Sequence, residues 1–112
     1  MARQPKSKKI SAQGLQLVAR RFKVLSEPAR LKLLMALEEG EQHVTALIKL
    51  TGLTQGNVSK HLGILMGEGM VDRRKQGLNA FYFISDPQII ELCDLMCSKL
   101  EKEFNKRSVH FQ

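Results

Sequence analysis

Tryptophan is absent from this chain, tyrosine occurs once, and aromatic residues make up 5% of its 112 residues. A core has to come from Leu, Ile, Val and Met, which points to packed helices. Cysteine occurs only as Cys93 and Cys97, four residues apart, which excludes a disulfide framework and fits a reducing compartment. No apolar run approaches the roughly 18 residues of a membrane span, and the start lacks the apolar stretch of a secretory signal. The expectation is a soluble, cytoplasmic protein with no membrane partner. Acidic residues are missing from the first nine positions, where Arg3, Lys6, Lys8 and Lys9 supply four of the seven net positive charges. Such a run stays solvated, so residues 1–10 are expected to be a basic disordered tail. Residues 11–105 then hold one domain, because a chain this short has room for one core, and residues 106–112 form a second tail.

The means for catalysis are missing as well. No Cys/His or carboxylate pair stands at a catalytic spacing, and no glycine loop is set to cradle a phosphate, since Gly63, Gly67 and Gly69 lie along or at the end of a helix. His43 and His110 are isolated, so the reading is of a protein that is not an enzyme and has no metal site or cofactor. A net charge of +7 favours a polyanionic partner instead.

Hydrophobic spacing lays out the elements. Leu15, Val18, Phe22 and Leu25 recur at helical intervals, so a first helix runs from about Ser11 to Leu25. Ser26 is read as the cap of a second helix with Pro28 in its first turn, where a missing N–H costs nothing, and with Leu31, Leu34, Met35 and Ala36 on its buried side up to Gly40. Thr45 is read as the cap of a short third helix that ends at Gly52, and Thr54 as the cap of a fourth that stops before Gly69. The period then changes to that of a β-hairpin, Val71–Lys75 and Asn79–Ile84 about a turn at Gln76-Gly77-Leu78. Asp86 and Pro87 start a last helix reaching Phe104, which has too many apolar residues for a single stripe. Such a helix is buried on more than one side, and in a small chain the second side meets another subunit.

Residues 53–71 say most about function. Val58, Leu62, Leu65 and Met66 form a stripe that turns inward and leaves Gln55, Asn57, Ser59, Lys60 and His61 on the free face. A donor-rich face on a short helix, reached from another helix by a tight turn, suits the DNA major groove. Asn57 or Gln55 can read adenine bidentately, while Ser59 and Thr54 suit phosphate contacts. The same residues would serve as a plain solvated face, but such a face usually includes acid, and none occurs here before Glu68.

Three motifs in this order and spacing carry a resemblance. Leu25-Ser26-Glu27-Pro28-Ala29-Arg30 resembles the Leu-(Ser/Ala)-(Asp/Glu)-Pro-x-Arg signature of the ArsR/SmtB repressors. Ser59-Lys60-His61-Leu62-Gly63-Ile64-Leu65 with Gly69-Met70-Val71 is similar to their recognition helix, and Gly77 with Phe81-Tyr82 to their wing. The resemblance, over roughly residues 12 to 100, implies a mainly α fold with a small β-hairpin, the winged helix-turn-helix order α-α-α-α-β-β-α. It also implies a homodimer formed by the first and last helices, and a repressor that leaves a near-palindromic double-stranded operator when an inducer alters the dimer. It places Thr54, Gln55, Asn57, Ser59 and His61 at the major groove, with Lys60 beside them on the same free face as a DNA contact, and Arg73, Arg74, Lys75 and Asn79 on a wing near the minor groove or the backbone. His61 has packing or capping as a rival role.

The inducer is where the chain departs from that family. The cysteines that its arsenic and lead sensors carry in the first helix of the motif are absent from Thr45–Thr51. Asp86 occupies the first ligand position of the family's last-helix zinc site, but Gln88, Lys99 and Lys102 fall near the others, and Lys is no usual ligand. Gln42 occupies the neighbourhood of the second-helix cysteine that sulfide and oxidant sensors use. Cys93 and Cys97 remain. Four apart on a helix, their Cβ atoms lie about 5–6 Å apart, too far for the roughly 3.5–4.5 Å of a disulfide. Three readings stand for them: buried apolar residues, thiols that answer an oxidant, or half of a thiophilic metal site completed across a dimer axis. Two alternatives to the inducible repressor stay open, a winged-helix protein-interaction module and a regulator with no small-molecule inducer.

Overall fold

Ser11 opens the first helix because its hydroxyl accepts the Gly14 N–H at 3.0 Å, one of the donors that a helix start leaves without a partner. In the computed structural model, which describes residues 9–106, this helix is α1 (Ala12–Leu25). Most of the expected basic tail, the end tail beyond Lys106 and His110 lie outside the described residues. Ser26 closes α1 instead of capping its successor: its hydroxyl donates to the Lys23 carbonyl at 2.6 Å. The second helix, α2 (Pro28–Glu38), follows Glu27 with no side-chain cap and with Pro28 in its first turn.

A strand that the periodicity did not announce comes next. β1 (Gln42–His43) is two residues long, too short for alternation to be visible. It leads into α3 (Val44–Thr51), whose cap is His43 and not Thr45, because the imidazole Nδ1 accepts the Ala46 N–H at 3.1 Å. Gly52 ends α3 at φ 75°, a left-handed conformation that glycine reaches without a Cβ clash. Leu53 and Thr54 complete the turn, and the Thr54 hydroxyl accepts the Asn57 N–H at 3.2 Å to start α4 (Gln55–Gly67).

β2 (Val71–Gln76) and β3 (Asn79–Ile84) form an antiparallel hairpin in register from Val71 opposite Ile84 to Gln76 opposite Asn79. Its two-residue turn holds Gly77 at φ 63°. β1 pairs with the free edge of β3, Gln42 opposite Tyr82 and His43 opposite Phe81, so the expected hairpin is part of a three-stranded sheet of order β1-β3-β2. The last helix, α5 (Pro87–Lys106), follows Asp86, whose carboxylate accepts the Gln88 N–H at 3.1 Å.

The core is Leu33, Leu34 and Leu37 of α2, Leu47 of α3, Val58, Leu62 and Leu65 of α4, and Met70, Val71 and Tyr82. Burying a side chain of this kind stabilises the fold by about 1.5–3 kcal/mol relative to exposure. Met35, expected on the buried side of α2, is 57% exposed, and Leu33 and Leu37 turn inward instead. The outer helices contribute little: α1 buries only Val24 and Leu25, and α5 buries no residue fully. No described helix is long and apolar enough to cross a membrane.

Candidate nucleic-acid interface

The inward stripe of α4 fixes what its outer side presents. Val58, Leu62 and Leu65 are at most 1% exposed, anchoring the helix on α2 and α3. Beyond its other end, the Met70 N–H donates to the Leu65 carbonyl at 3.0 Å, and the Ser85 hydroxyl donates to the Gly69 carbonyl at 2.9 Å. The chain therefore enters and leaves α4 at fixed points. Thr54, Gln55, Asn57, Ser59 and Lys60 are all exposed, with no carboxylate from Thr54 to Gly67. The Thr54 hydroxyl is partly spent on its cap, and it keeps an acceptor lone pair and its O–H donor.

His61 does not belong to that face. It is 8% exposed, and its Nδ1 accepts a hydrogen bond from Arg30 Nε at 3.1 Å. Burial first, then the positive charges of Arg30 and Lys60, push its pKa below the ordinary histidine value, with Glu27 opposing. A neutral ring results at pH 7, as an acceptor for Arg30 requires. The spacing already contained this answer, since His61 follows Val58 by three residues and precedes Leu65 by four. Of the two roles open to His61, DNA contact and packing, its burial and its bond to Arg30 fit packing.

Two residues of the same face escaped sequence reasoning. Gly56 and Gly63 are exposed, and a Cβ built on either would meet nothing within 4 Å beyond its chain neighbours and the helix's own backbone. Packing does not require glycine at these positions, although each costs a helix about 1 kcal/mol relative to Ala. A bare backbone there lets another molecule approach the helix axis closely.

The wing residues divide into two sets. Arg73, Lys75 and Asn79 are exposed, and among the described residues neither Arg73 nor Lys75 takes part in an ion pair. Arg74 is already engaged: Nη2 lies 2.7 Å and Nε 2.8 Å from Glu41 Oε1, Nη1 donates to Gln76 at 3.1 Å, and the guanidinium stands 5.2 Å from the Phe81 ring centroid. Its place beside β1 follows from the cross-strand register, Arg74 opposite Phe81, and Glu41 lies too far away in the chain for the sequence to announce the pair. Leu78 forms the wholly exposed tip.

Cys93 and Cys97 are free thiols, both half-buried, on a groove of about 380 Å³ between α1, α2 and α5 whose walls include Phe22, Leu25, Leu34 and Leu100. Burial raises the Cys93 pKa, and the charges of Cys97, Asp94 and Glu38 raise it further. Its thiol is therefore protonated at neutral pH, which slows reaction with an oxidant. Glu38, on the same groove, has its pKa raised by a side-chain hydrogen bond with Asp94, then by burial and by the charges of Asp94 and Glu39. Among the described residues, no group of three or more His, Cys, Asp or Glu is placed to hold a metal ion.

Comparison with known proteins places this arrangement. Residues 27–73 match the family model described as "Bacterial regulatory protein, arsR family". A protein of Streptomyces lividans described as "Probable mercury resistance operon repressor" is 36% identical over 74 residues, which are 66% of this chain and 59% of that protein. The crystal structure of Rv0081 from Mycobacterium tuberculosis, 33% identical, superposes with a TM-score of 0.77 over 88% of this chain and 100% of that one. In sequence, Rv0081 is 38% identical over 78 residues, covering 68% of its length, and is described as an HTH-type transcriptional regulator. The solution structure of a homodimeric winged helix-turn-helix DNA-binding domain from Mycobacterium bovis is 27% identical with a TM-score of 0.72, covering 97% of this chain and 99% of that one.

Proposed function

Since the chain belongs to the arsR family of bacterial regulatory proteins, we propose that it is a dimeric, sequence-specific DNA-binding repressor. Its recognition helix is α4, and its wing is the β2–β3 hairpin. The observation that carries this reading is the exposed, carboxylate-free face of Thr54 to Lys60, held out by a stripe buried to 1% or less. Asn57 and Gln55 read base edges, while Thr54, Ser59, Lys60, Arg73, Lys75 and Asn79 hold sugar and phosphate. Arg74 reaches DNA only by exchanging Glu41 for a phosphate.

Repression by a dimer fits the relatives, one described as an operon repressor and one as a homodimer. The exposed apolar residues of α1 and α5 supply an interface, and the twofold axis sets two recognition helices about one DNA turn, roughly 10 bp, apart. Selection from a random duplex pool, followed by footprinting, tests this. A dyad-symmetric site should emerge, and Asn57→Ala should relax the preference at one base pair per half-site, a discrimination of about 1–3 kcal/mol. Uniform protection with no enriched sequence would refute specific recognition and favour a protein partner.

For the inducer, we propose a thiophilic metal or a thiol oxidant at Cys93 and Cys97. The described residues of one protomer hold two thiols and no third ligand, so a closed metal site takes sulfur from both subunits. The mercury-resistance relative favours a soft metal, while the raised pKa of Cys93 opposes the thiolate on which metal and oxidant both depend. Adding Hg(II) to the reduced protein on its selected duplex should release it, with at least a tenfold rise in Kd, an estimate of about 1.4 kcal/mol. The Cys93→Ser, Cys97→Ser variant should stay bound. Equal behaviour of the two proteins would leave both cysteines as packing residues.

A further inference from the structure

Glu68 stands where two electrostatic costs meet. It is the C-cap of α4, a position where the helix dipole disfavours an acid, and it is the first carboxylate after a face that is read here as meeting a polyanion. Yet its side chain is only 11% exposed and is gripped from α1: Arg20 Nη2 at 2.7 Å and Nε at 2.8 Å from Oε2, and Arg21 Nε at 3.3 Å from Oε1. A second link joins the same two helices. Arg30 donates through Nε to His61 in the middle of α4 and through Nη1 to the Val24 carbonyl of α1, 3.1 Å each. That carbonyl is one of the four that the end of α1 leaves without an intrahelical partner.

Helix α4 is thus tied to α1 at two points, and α1 otherwise buries only Val24 and Leu25 in the protomer. Surface ion pairs add little stability. Two links at separated points on a helix, one the Glu68 ion pairs and the other the hydrogen-bonded bridge through Arg30 of α2, nevertheless define its tilt. We infer that Glu68 and the Arg30–His61 pair are positioning residues, which fix the angle of the recognition helix against α1 so that DNA affinity follows the placement of α1. This rests on α4 being the helix that meets DNA.

Bulk charge and positioning predict opposite results for Glu68→Gln. Removing a negative charge should tighten binding to any duplex, whereas loosening the helix should weaken binding to the preferred one. The measurement is the ratio of Kd values for a scrambled duplex and for the duplex that the wild-type protein selects, with melting temperature and sedimentation confirming a folded protein of unchanged assembly. Glu68→Gln should lower that ratio about fivefold, the low end of couplings between distant sites. Arg20→Gln with Arg21→Gln should lower it as much, although it changes the charge in the opposite direction. The triple variant should lose no more than either, because all three remove one link. An unchanged ratio in Glu68→Gln, or losses that add in the triple variant, would overturn the inference. A wild-type ratio near one would instead remove the reading of α4 on which it rests.

Discussion

A protein carrying Leu15→Asp and Leu95→Asp should fold, fail to dimerise, and bind its selected duplex about 10²–10⁴ times more weakly, the range by which linked sites exceed single ones. The reason lies in where the apolar surface is. On α1, Leu15 is 56% exposed, Leu17 62%, Val18 43% and Phe22 55%, and on α5 Leu95 is 69% and Met96 58% exposed. Exposed apolar residues gathered on two helices that line one groove mark an interaction surface. Neither substituted residue belongs to the protomer core, so a carboxylate there leaves Leu33, Leu47, Leu65 and their neighbours packed. Placed in an interface between two copies, the same carboxylate would be buried without a partner, which costs several kcal/mol. Sedimentation equilibrium and a duplex titration at the same concentration read both effects. A variant that remains a dimer would put the interface elsewhere, and a monomer that binds as tightly as wild type would show that one half-site suffices.

Replacing Lys60, Arg73 and Lys75 together by Ala should flatten the dependence of log K on log salt by about 5, since each phosphate contact contributes about 0.9 and a dimer loses six. Selected and scrambled duplexes should be weakened alike, because a cation placed on phosphate reads no base. All three are exposed and, among the described residues, take part in no ion pair, so their full charge is available to phosphate. Arg74→Ala is the contrasting control. Its guanidinium is held by Glu41, Gln76 and the Phe81 ring, so its loss should barely change the salt slope. A drop of about 1.8 for Arg74→Ala, from two contacts per dimer, would mean that Arg74 leaves Glu41 on binding. An unchanged slope in the triple variant would remove the wing and Lys60 from the DNA contact.

Local physics made much of this protein legible without coordinates. Thr54 and Ser11 cap their helices through the N–H three residues on, Gly52 ends a helix in the one conformation that favours glycine, and Pro28 occupies a first turn. Each depends on a few adjacent residues. Ser26 shows the limit of such reasoning, since one hydroxyl between two helices can serve either, and here it serves the first. The exposed donors of α4 were legible for the same reason, being fixed by helical period against a clear apolar stripe.

The tertiary structure decided what distance along the chain conceals. β1 exists because two residues after α2 meet the edge of a strand some forty positions later, and no periodicity shows in two residues. His61 turns inward because Arg30, thirty-one positions earlier, satisfies its ring. Arg74 leaves the set of unpaired cations because Glu41 comes within 2.7 Å. By itself, then, the sequence determined the helices, their turn and the chemistry of the outward face, since these follow from backbone geometry within one or two turns. Which polar side chains stay unpaired on the outward face, and how α4 is tied to α1, only the folded chain decided, because a buried or paired charge depends on partners that the fold must first bring together.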